Sequence, residues 1–511
     1  MMNERPPLPF APGVVSNGEF LPPPPTARAE LIVRETLEIA DRAARRRGMD
    51  RRRFLQSAGG MAAMLGATNL VAACSGGDRS SERPSSTTAS DTTSPGGTYE
   101  TPEPEEIEEC EHVLGGAEFI FDVHTHHVMP DGPWREGSPR IADMIGRLVP
   151  AGCLAADEYE CLDRVSYVHD LFLASDTTVA LLSDVPNSGD ADAPVPFGAK
   201  VGTKEFAASL TRGGQPRVLV HDVIAPNFGE LAARLDLMDE TAATGQVAAF
   251  KVYTAWGPDG RGFALDDPAI GLPVVERARD LGVKIICGHK GLPLLEFDRA
   301  HNGPADLVAC AKLYPDLDFV VYHSAYEVQT TEGPYDPTNA DVGINSLLKA
   351  LDDFGVPPNA NVWAELGTTW RETMSNPDEA AHVLGKLLTR VGEDRVLWGT
   401  DGIWYGSPQP QIMAFRAFQI GEELQERFGY PELTEETKAK VFGFNAAGLF
   451  GVDPRALTCG VDADELGAAR TEAQGLIAAG AIAEPWRARG PLTRREVIDW
   501  LAMPATRWSP F

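Results

Sequence analysis

Positive charge is scarce in this chain: 45 Lys and Arg against 74 Asp and Glu give a formal net charge of −29 over 511 residues. The deficit lies in the body, because the first 73 residues carry ten Arg against seven acids. A surface that acidic excludes nucleic acid and anionic membrane as partners held by charge. Cysteine is also sparse. The seven residues (74, 110, 153, 161, 287, 310, 459) form no CxxC pair and no zinc-ribbon spacing, so neither a metal ribbon nor a disulfide framework is read, and a single bridge such as Cys153 to Cys161 is left open. No apolar run makes a good stop-transfer helix. No strand-like run leads into a Gly-x-Gly-x-x-Gly turn, so nucleotide binding gets no support. What is present, 43% hydrophobic and 23% charged residues, is the balance of a globular chain long enough for one large core or two ordinary ones.

Residues 1–48 read as an N-terminal extension, largely disordered in its Pro-rich part (Leu21-Pro22-Pro23-Pro24-Pro25), with one helix over 28–47 whose apolar stripe is Val33, Leu37 and Ala40. Residues 49–74 carry Arg51-Arg52-Arg53-Phe54-Leu55-Gln56 and then an uncharged, Gly- and Ala-rich stretch from Ser57 to Ala73. This resembles a bacterial twin-arginine signal, with Gln56 where Lys is usual. The stretch ends in Val71-Ala72-Ala73-Cys74, which resembles a lipoprotein cleavage and acylation site and names Cys74 as a lipidation candidate. These resemblances imply the twin-arginine export machinery as a partner through Arg51 and Arg52. They also imply a cell-envelope location, lipid-anchored or otherwise periplasmic or extracellular. Residues 75–116, first Ser/Thr/Pro-rich and then acidic from Glu103 to Glu111, read as a linker that cannot bury enough to fold.

From residue 117 a short β-branched apolar run is followed by a helical stretch, eight times over: 118–126, 179–184, 217–222, 248–253, 283–289, 319–323, 361–365 and 395–401. Helical segments are read at 228–244, 268–281, 305–314, 341–353 and 377–391. Alternation of strand and helix implies a parallel sheet, and eight units over 117–452 fit an α/β fold of the closed (β/α)8 TIM-barrel kind. In such a barrel the chemistry sits where the strands end. His124 and His126 close the first run, Lys251 stands in the fourth, His289 closes the fifth, His323 the sixth and Asp401 the eighth. Only ten His exist in the chain, and four of them fall at the mouth of three strands. His124 and His126, two apart on a strand, face one point in space, which is metal-ligand spacing.

The motifs Asp122-Val123-His124-Thr125-His126, Gly288-His289-Lys290-Gly291, Val321-Tyr322-His323, Leu397-Trp398-Gly399-Thr400-Asp401 and the closing helix from Val441 to Gly451 resemble the amidohydrolase superfamily, most closely the amidohydrolase-related branch that includes aminocarboxymuconate-semialdehyde decarboxylase. The resemblance implies one divalent ion, Zn²⁺ by default with Mn²⁺ as an alternative, on His124, His126, His289 and Asp401. The ion would bring a water's pKa from ~15.7 to about 7. Asp401 would be the general base, and His323 would polarise the substrate or stabilise an oxyanion. Lys251 is either the carboxylated bridge of a two-metal site or a substrate-binding residue. Trp134, Arg135, Tyr253 and Trp404 are candidates for the substrate pocket, with Arg371 and Tyr405 also falling after strands and Glu365 closing the seventh run as a further pocket candidate. The activity implied is hydrolysis of a C–N or C–O bond in a small organic substrate; non-oxidative decarboxylation is the alternative, and an inactive envelope binding protein the least supported reading. Barrels of the branch often pair, which leaves a homodimer open. Residues 453–511 read as a C-terminal extension with a helix near 493–503.

Overall fold

The computed structural model describes residues 8–16, 24–75, 96–149, 153, 155–211, 216–293, 297–338, 340–458 and 465–479. All eight runs become strands of one sheet, ordered as in the sequence: β2 (Phe121–Thr125), β3 (Val179–Leu182), β4 (Val218–Val223), β5 (Val247–Val252), β6 (Ile285–His289), β7 (Asp318–Tyr322), β8 (Val362–Glu365) and β9 (Val396–Leu397). Every pairing is parallel. The first and last strands meet where the Val123 N–H donates to the Trp398 carbonyl at 3.0 Å and Thr125 bridges Gly402. The sheet is therefore a closed (β/α)8 barrel, with helices such as Leu231–Ala243, Gly271–Asp280 and Gly343–Phe354 outside it.

The strands are buried on both faces, which is why their sequences read as continuous apolar runs. Alternation divides them. Ala249, Cys287, Val320 and Trp363 form one cluster with the closing helix (Asn445–Phe450), while Phe250, Ile286, Val321 and Ala364 join the larger core. On β5, β6 and β8 the first of these faces also carries Lys251, His289 and Glu365, so the same periodicity that fills the core delivers the polar groups to the mouth. On β2 a register shift between Asp122 and Thr125 breaks the alternation, and the strand stops at Thr125. His126 thus lies just beyond the strand, its N–H held by the Gly402 carbonyl, rather than on it as the spacing implies.

The N-terminal part corrects one expectation. Residues 8–16, within the stretch expected to be disordered, pack on the barrel: the Val15 N–H donates to Glu372 and the Gly13 N–H to Ser375 Oγ. Three helices follow, α1 (Ala27–Arg47), α2 (Arg51–Leu55) and α3 (Ala58–Ser75). Thr26 caps α1 by accepting the Ala29 N–H, and left-handed Gly48 ends it. The apolar stretch read as an export core is α3, and Met61 to Leu65 lie buried in the body of the protein. No helix among the described residues is long and apolar enough to cross a membrane.

The acidic segment expected to be a linker is structured from residue 96. β1 (Gly97–Tyr99) pairs antiparallel with β10 (Phe418–Ile420), and α4 (Ile107–Leu114) buries Ile107, Cys110 and Leu114. The acids there lie on the outer face of an amphipathic turn pattern, with Glu108 paired to Arg47, which is why a count of charges alone missed it. Residues 76–95 and the helix expected near 493–503 lie outside the described residues. A disulfide joins Cys153 and Cys161, while Cys74 is free and exposed.

Candidate metal centre

At the mouth, three donors converge. Asp401 Oδ1 lies 3.2 Å from His126 Nε2 and 3.5 Å from His124 Nε2, and the ligand atoms of the three residues all fall within 4.8 Å of one another. Two imidazole nitrogens and one carboxylate oxygen meeting at one point form a donor set that suits Zn²⁺ or Mn²⁺, so these residues fit the ion that the motifs imply. His289 is not a member of this triad. Its ring stacks on Tyr253 at 5.1 Å and meets His323 at 4.6 Å, so the four-ligand set expected from the motifs is here three residues with a fourth one ring away. A second triad, His124, His323 and Glu365, shares His124 with the first.

Backbone strain aims these groups. His323, Ser324, Ala325, Thr368 and Asp401 all have φ between 50° and 61°, a region that costs a non-glycine residue on the order of 1–3 kcal/mol. Hydrogen bonds hold each turn in place. Ser324 Oγ donates to the Glu365 carbonyl at 2.7 Å, Thr369 Oγ1 to the His323 carbonyl at 2.8 Å, and Thr368 Oγ1 to Asp401 Oδ2 at 2.8 Å. Thr368 also meets the Tyr405 hydroxyl at 3.0 Å.

Glu365, a pocket candidate from its place at the end of the seventh run, is the organising carboxylate. Its Oε2 lies 3.3 Å from His124 Nδ1 and accepts the His323 N–H at 2.9 Å, while Oε1 accepts the Gly367 N–H. A side chain at Gly399 or Gly367 would collide with it. A carboxylate on the distal nitrogen of a ligating histidine fixes ring orientation and leaves the other nitrogen's lone pair for the ion. Burial, with the charges of Asp401 and Asp122 adding to it, pushes the Glu365 carboxyl up to about 8, against the backbone N–H bonds that favour its charged form. Its sequence signal was its place as the last residue of the seventh run. Asp122 forms a second brace, accepting N–H groups of His124 and Thr400 at 3.1 Å each and so tying β2 to β9.

The protonation states suit ligation. Burial and the nearby cations lower His124, and bring His289 down to about 3, so both rings are neutral. Burial raises Asp401, but its hydrogen bond and charge pairing with His126 outweigh that and hold the carboxyl below its usual range. His323 Nδ1 faces the Gly367 carbonyl at 2.8 Å, which can only accept, so the proton is on Nδ1 and Nε2 donates only in the imidazolium form. Lys251, fully buried, donates to Ser183 Oγ at 2.9 Å, lies 3.3 Å from His124 Nε2, and sits over the Tyr322 and Tyr253 rings at 4.5 and 4.9 Å. Those rings stabilise a charged ammonium.

The expected substrate-pocket residues divide. Trp404 stacks on His126 at 5.3 Å and Tyr253 on His289, so both wall the centre. Trp134 and Arg135 do not. Trp134 is core, its Nε1 donating to the Met129 carbonyl at 2.7 Å, and Arg135 is engaged by Asp157 with its guanidinium 4.4 Å over Tyr159. An anchoring helical turn, Trp134–Gly137, takes both residues into loop packing.

A family model described as Amidohydrolase matches residues 121–452. No curated protein matches the chain. Among solved structures, 2,6-dihydroxybenzoate decarboxylase complexed with 2,6-dihydroxybenzoate aligns at 14% identity and a TM-score of 0.37 over 66% of this chain and 99% of its own. The 5-carboxyvanillate decarboxylase of Novosphingobium aromaticivorans, complexed with manganese and 4-hydroxy-3-methoxy-5-nitrobenzoic acid, aligns at 15% and 0.40 over 66% of this chain and 97% of its own. Amidohydrolase 2 from Bifidobacterium longum subsp. infantis aligns at 12% and 0.31 over 66% of this chain and all of its own. At that distance a shared name carries no chemistry to this chain.

Proposed function

The chain belongs to the amidohydrolase family, and from that premise we propose that it is a metal-dependent enzyme whose centre is held by His124, His126 and Asp401. The observation that carries this reading is the convergence of three buried donors with a carboxylate, Glu365, behind one of them. A divalent ion bound there supplies Lewis acidity toward a substrate oxygen. Asp401, ionised and fixed at Oδ2 by Thr368, serves as the proton acceptor. His323, once protonated, donates from Nε2 to developing negative charge. Trp404 and Tyr253 hold an apolar substrate against the histidines and exclude water. One ion is proposed rather than two, a reading supported by the Lys251 amine donating to Ser183 Oγ and lying over the Tyr253 and Tyr322 rings.

The reaction is hydrolysis of a C–N or C–O bond in a small organic substrate, or non-oxidative decarboxylation of an organic acid. The second reading is favoured by one observation: His124, His126, Lys251, His289, His323, Glu365 and Asp401 are each at most 3% exposed, and a water-excluded site suits loss of a desolvated carboxylate. Elemental mass spectrometry on the full chain tests the metal; about one ion per chain, insensitive to added bicarbonate, is expected, and a metal-free protein that no ion restores would sink the reading. Release of ¹³CO2 from carboxyl-labelled acids separates the two reactions.

Export by the twin-arginine route and acylation of Cys74 are part of the same proposal. They are supported by the exposure of Arg51, Arg52 and Cys74 on the folded surface. Replacing Arg51 and Arg52 by Lys should leave the protein in the cytoplasmic fraction, and unchanged fractionation would argue against the signal.

A further inference from the structure

Two arginines are buried to a similar depth and treated differently. Arg416 is met by Glu118 at 2.8 Å and by Asp176 at 2.7 Å. Arg371, 2% exposed, has no carboxylate within ion-pair distance among the described residues. Its Nη2 donates to the Ala11 carbonyl at 3.1 Å, its Nη1 has no hydrogen-bond partner, and its guanidinium carbon lies 5.8 Å from the Tyr405 ring centre. The adjacent Glu372 does not complete it: burial pushes that carboxyl up to about 8 even against the pull of the Arg371 charge, and its oxygens accept the Val15 N–H rather than a guanidinium N–H. A buried guanidinium satisfied by one neutral oxygen is costly, and its fork geometry matches two carboxylate oxygens.

What lies against Arg371 is the N-terminal strap. Phe10, 4% exposed, lines a narrow cavity together with Arg371, Tyr405, Ser407 and Gln411, and Gln411 Oε1 is a second buried atom there without a partner. Phe10 and Ala11 together present an aromatic ring followed by one acceptor oxygen. We propose that the Arg371 cavity is a binding site for a small aromatic carboxylate and that, in the chain that still carries residues 1–73, Phe10–Ala11 is a built-in stand-in which such a ligand displaces. The carboxylate takes Nη1 and Nη2 together, where the Ala11 carbonyl takes only one. Its ring replaces that of Phe10 beside Tyr405, and Gln411 Oε1 accepts from a ring hydroxyl or from a water. The site adjoins the metal centre through Tyr405, Thr368 and Asp401, but it does not rest on the metal reading.

Benzoate, with benzamide as its neutral counterpart, is the probe, titrated calorimetrically into the full chain. Benzoate is expected to bind at least about tenfold more tightly than benzamide, and Arg371→Met to abolish that preference. Phe10→Ala is expected to tighten benzoate by about threefold or more, because the competing strap is weakened. Chymotrypsin gives a second readout on the unaltered protein. Cleavage after Phe10, followed by mass spectrometry, should accelerate with benzoate and not with benzamide, and this measurement stands even where Arg371→Met fails to fold. The same acceleration in His126→Ala separates this site from the metal centre. Equal binding of benzoate and benzamide, undiminished binding in a folded Arg371→Met, or a Phe10 bond no more open with benzoate would each overturn the proposal.

Discussion

Lys251, Asp122 and Glu365 at the barrel mouth are as inaccessible as Met64 and Leu65 in α3, all of them fully buried. In α3 that burial is a gain: each large apolar side chain removed from water contributes roughly 1.5–3 kcal/mol. At the mouth it is a cost, since each charged or polar group leaves water and is only partly repaid by its partners. The mouth adds strained backbone at five positions. A chain folded for stability alone would not assemble such a cluster, so the difference separates a region built for chemistry from one built for packing. Changes at the mouth should therefore alter ion binding and turnover more than stability, and changes in α3 the reverse.

The sharpest way to break that comparison is His126→Ala. It removes one of three converging donors, and the ion per chain should fall to near zero with turnover down about 10³-fold, the upper scale on which loss of one transition-state group acts. The melting temperature measured without metal should fall modestly, because the buried Asp401 carboxyl loses its His126 partner and takes up a proton instead. Stoichiometric metal in that variant would place the centre elsewhere.

The next largest effect belongs to the other region. Leu65→Ala empties a fully buried position in α3 and should cost about 2–5 kcal/mol in denaturant unfolding, with metal content unchanged. An unaltered midpoint would mean that α3 does not stay packed in the folded protein and would favour its reading as an export segment. Glu365→Gln comes third. It keeps the size and removes the carboxyl that can ionise against His124 Nδ1 when the ring binds an ion, and a chelator competition should show ion affinity lower by roughly 10–100-fold.

How much of this was legible beforehand follows the same division. Eight strands were readable because parallel strands buried on both faces leave continuous apolar runs, and His124, His126 and Asp401 stand at the ends of those runs. Glu365 was harder to see because its partners are the backbone of His323 and Gly367, which no side-chain motif records. Arg135 looked like a pocket residue from its position after the first run, yet Asp157, distant from it in sequence, claims the guanidinium. α4 was read as linker because its acids were counted without their three-to-four offset from Ile107, Cys110 and Leu114. α3 is ambiguous for a different reason: a Gly- and Ala-rich helix buried over most of its length and an export core have the same composition.

Glu372 offers the smallest effect and the finest discrimination, since it is buried among the N-terminal strap and outside the metal cluster. Its carboxyl is pushed up by burial from an ordinary value near 4.5 to about 8. Between those two values the unfolded chain is ionised while the folded one still holds its proton. The folded state therefore binds more protons, and stability falls as pH rises through that window, levelling off above it. Gln at 372 cannot ionise and keeps an oxygen for the Val15 N–H. Glu372→Gln should thus unfold at nearly the same temperature as the unaltered protein at pH 4.5 and at a higher one at pH 8, with the gap opening steadily between. Other acids lifted by burial, among them Asp122 and Asp184 to about 7 and Glu365 to about 8, keep their own slope in both proteins, so the difference between the two curves reports on Glu372. A gap that does not change with pH would show that the strap does not seal this carboxyl from water, and Phe10 would then be no more buried than an ordinary chain end.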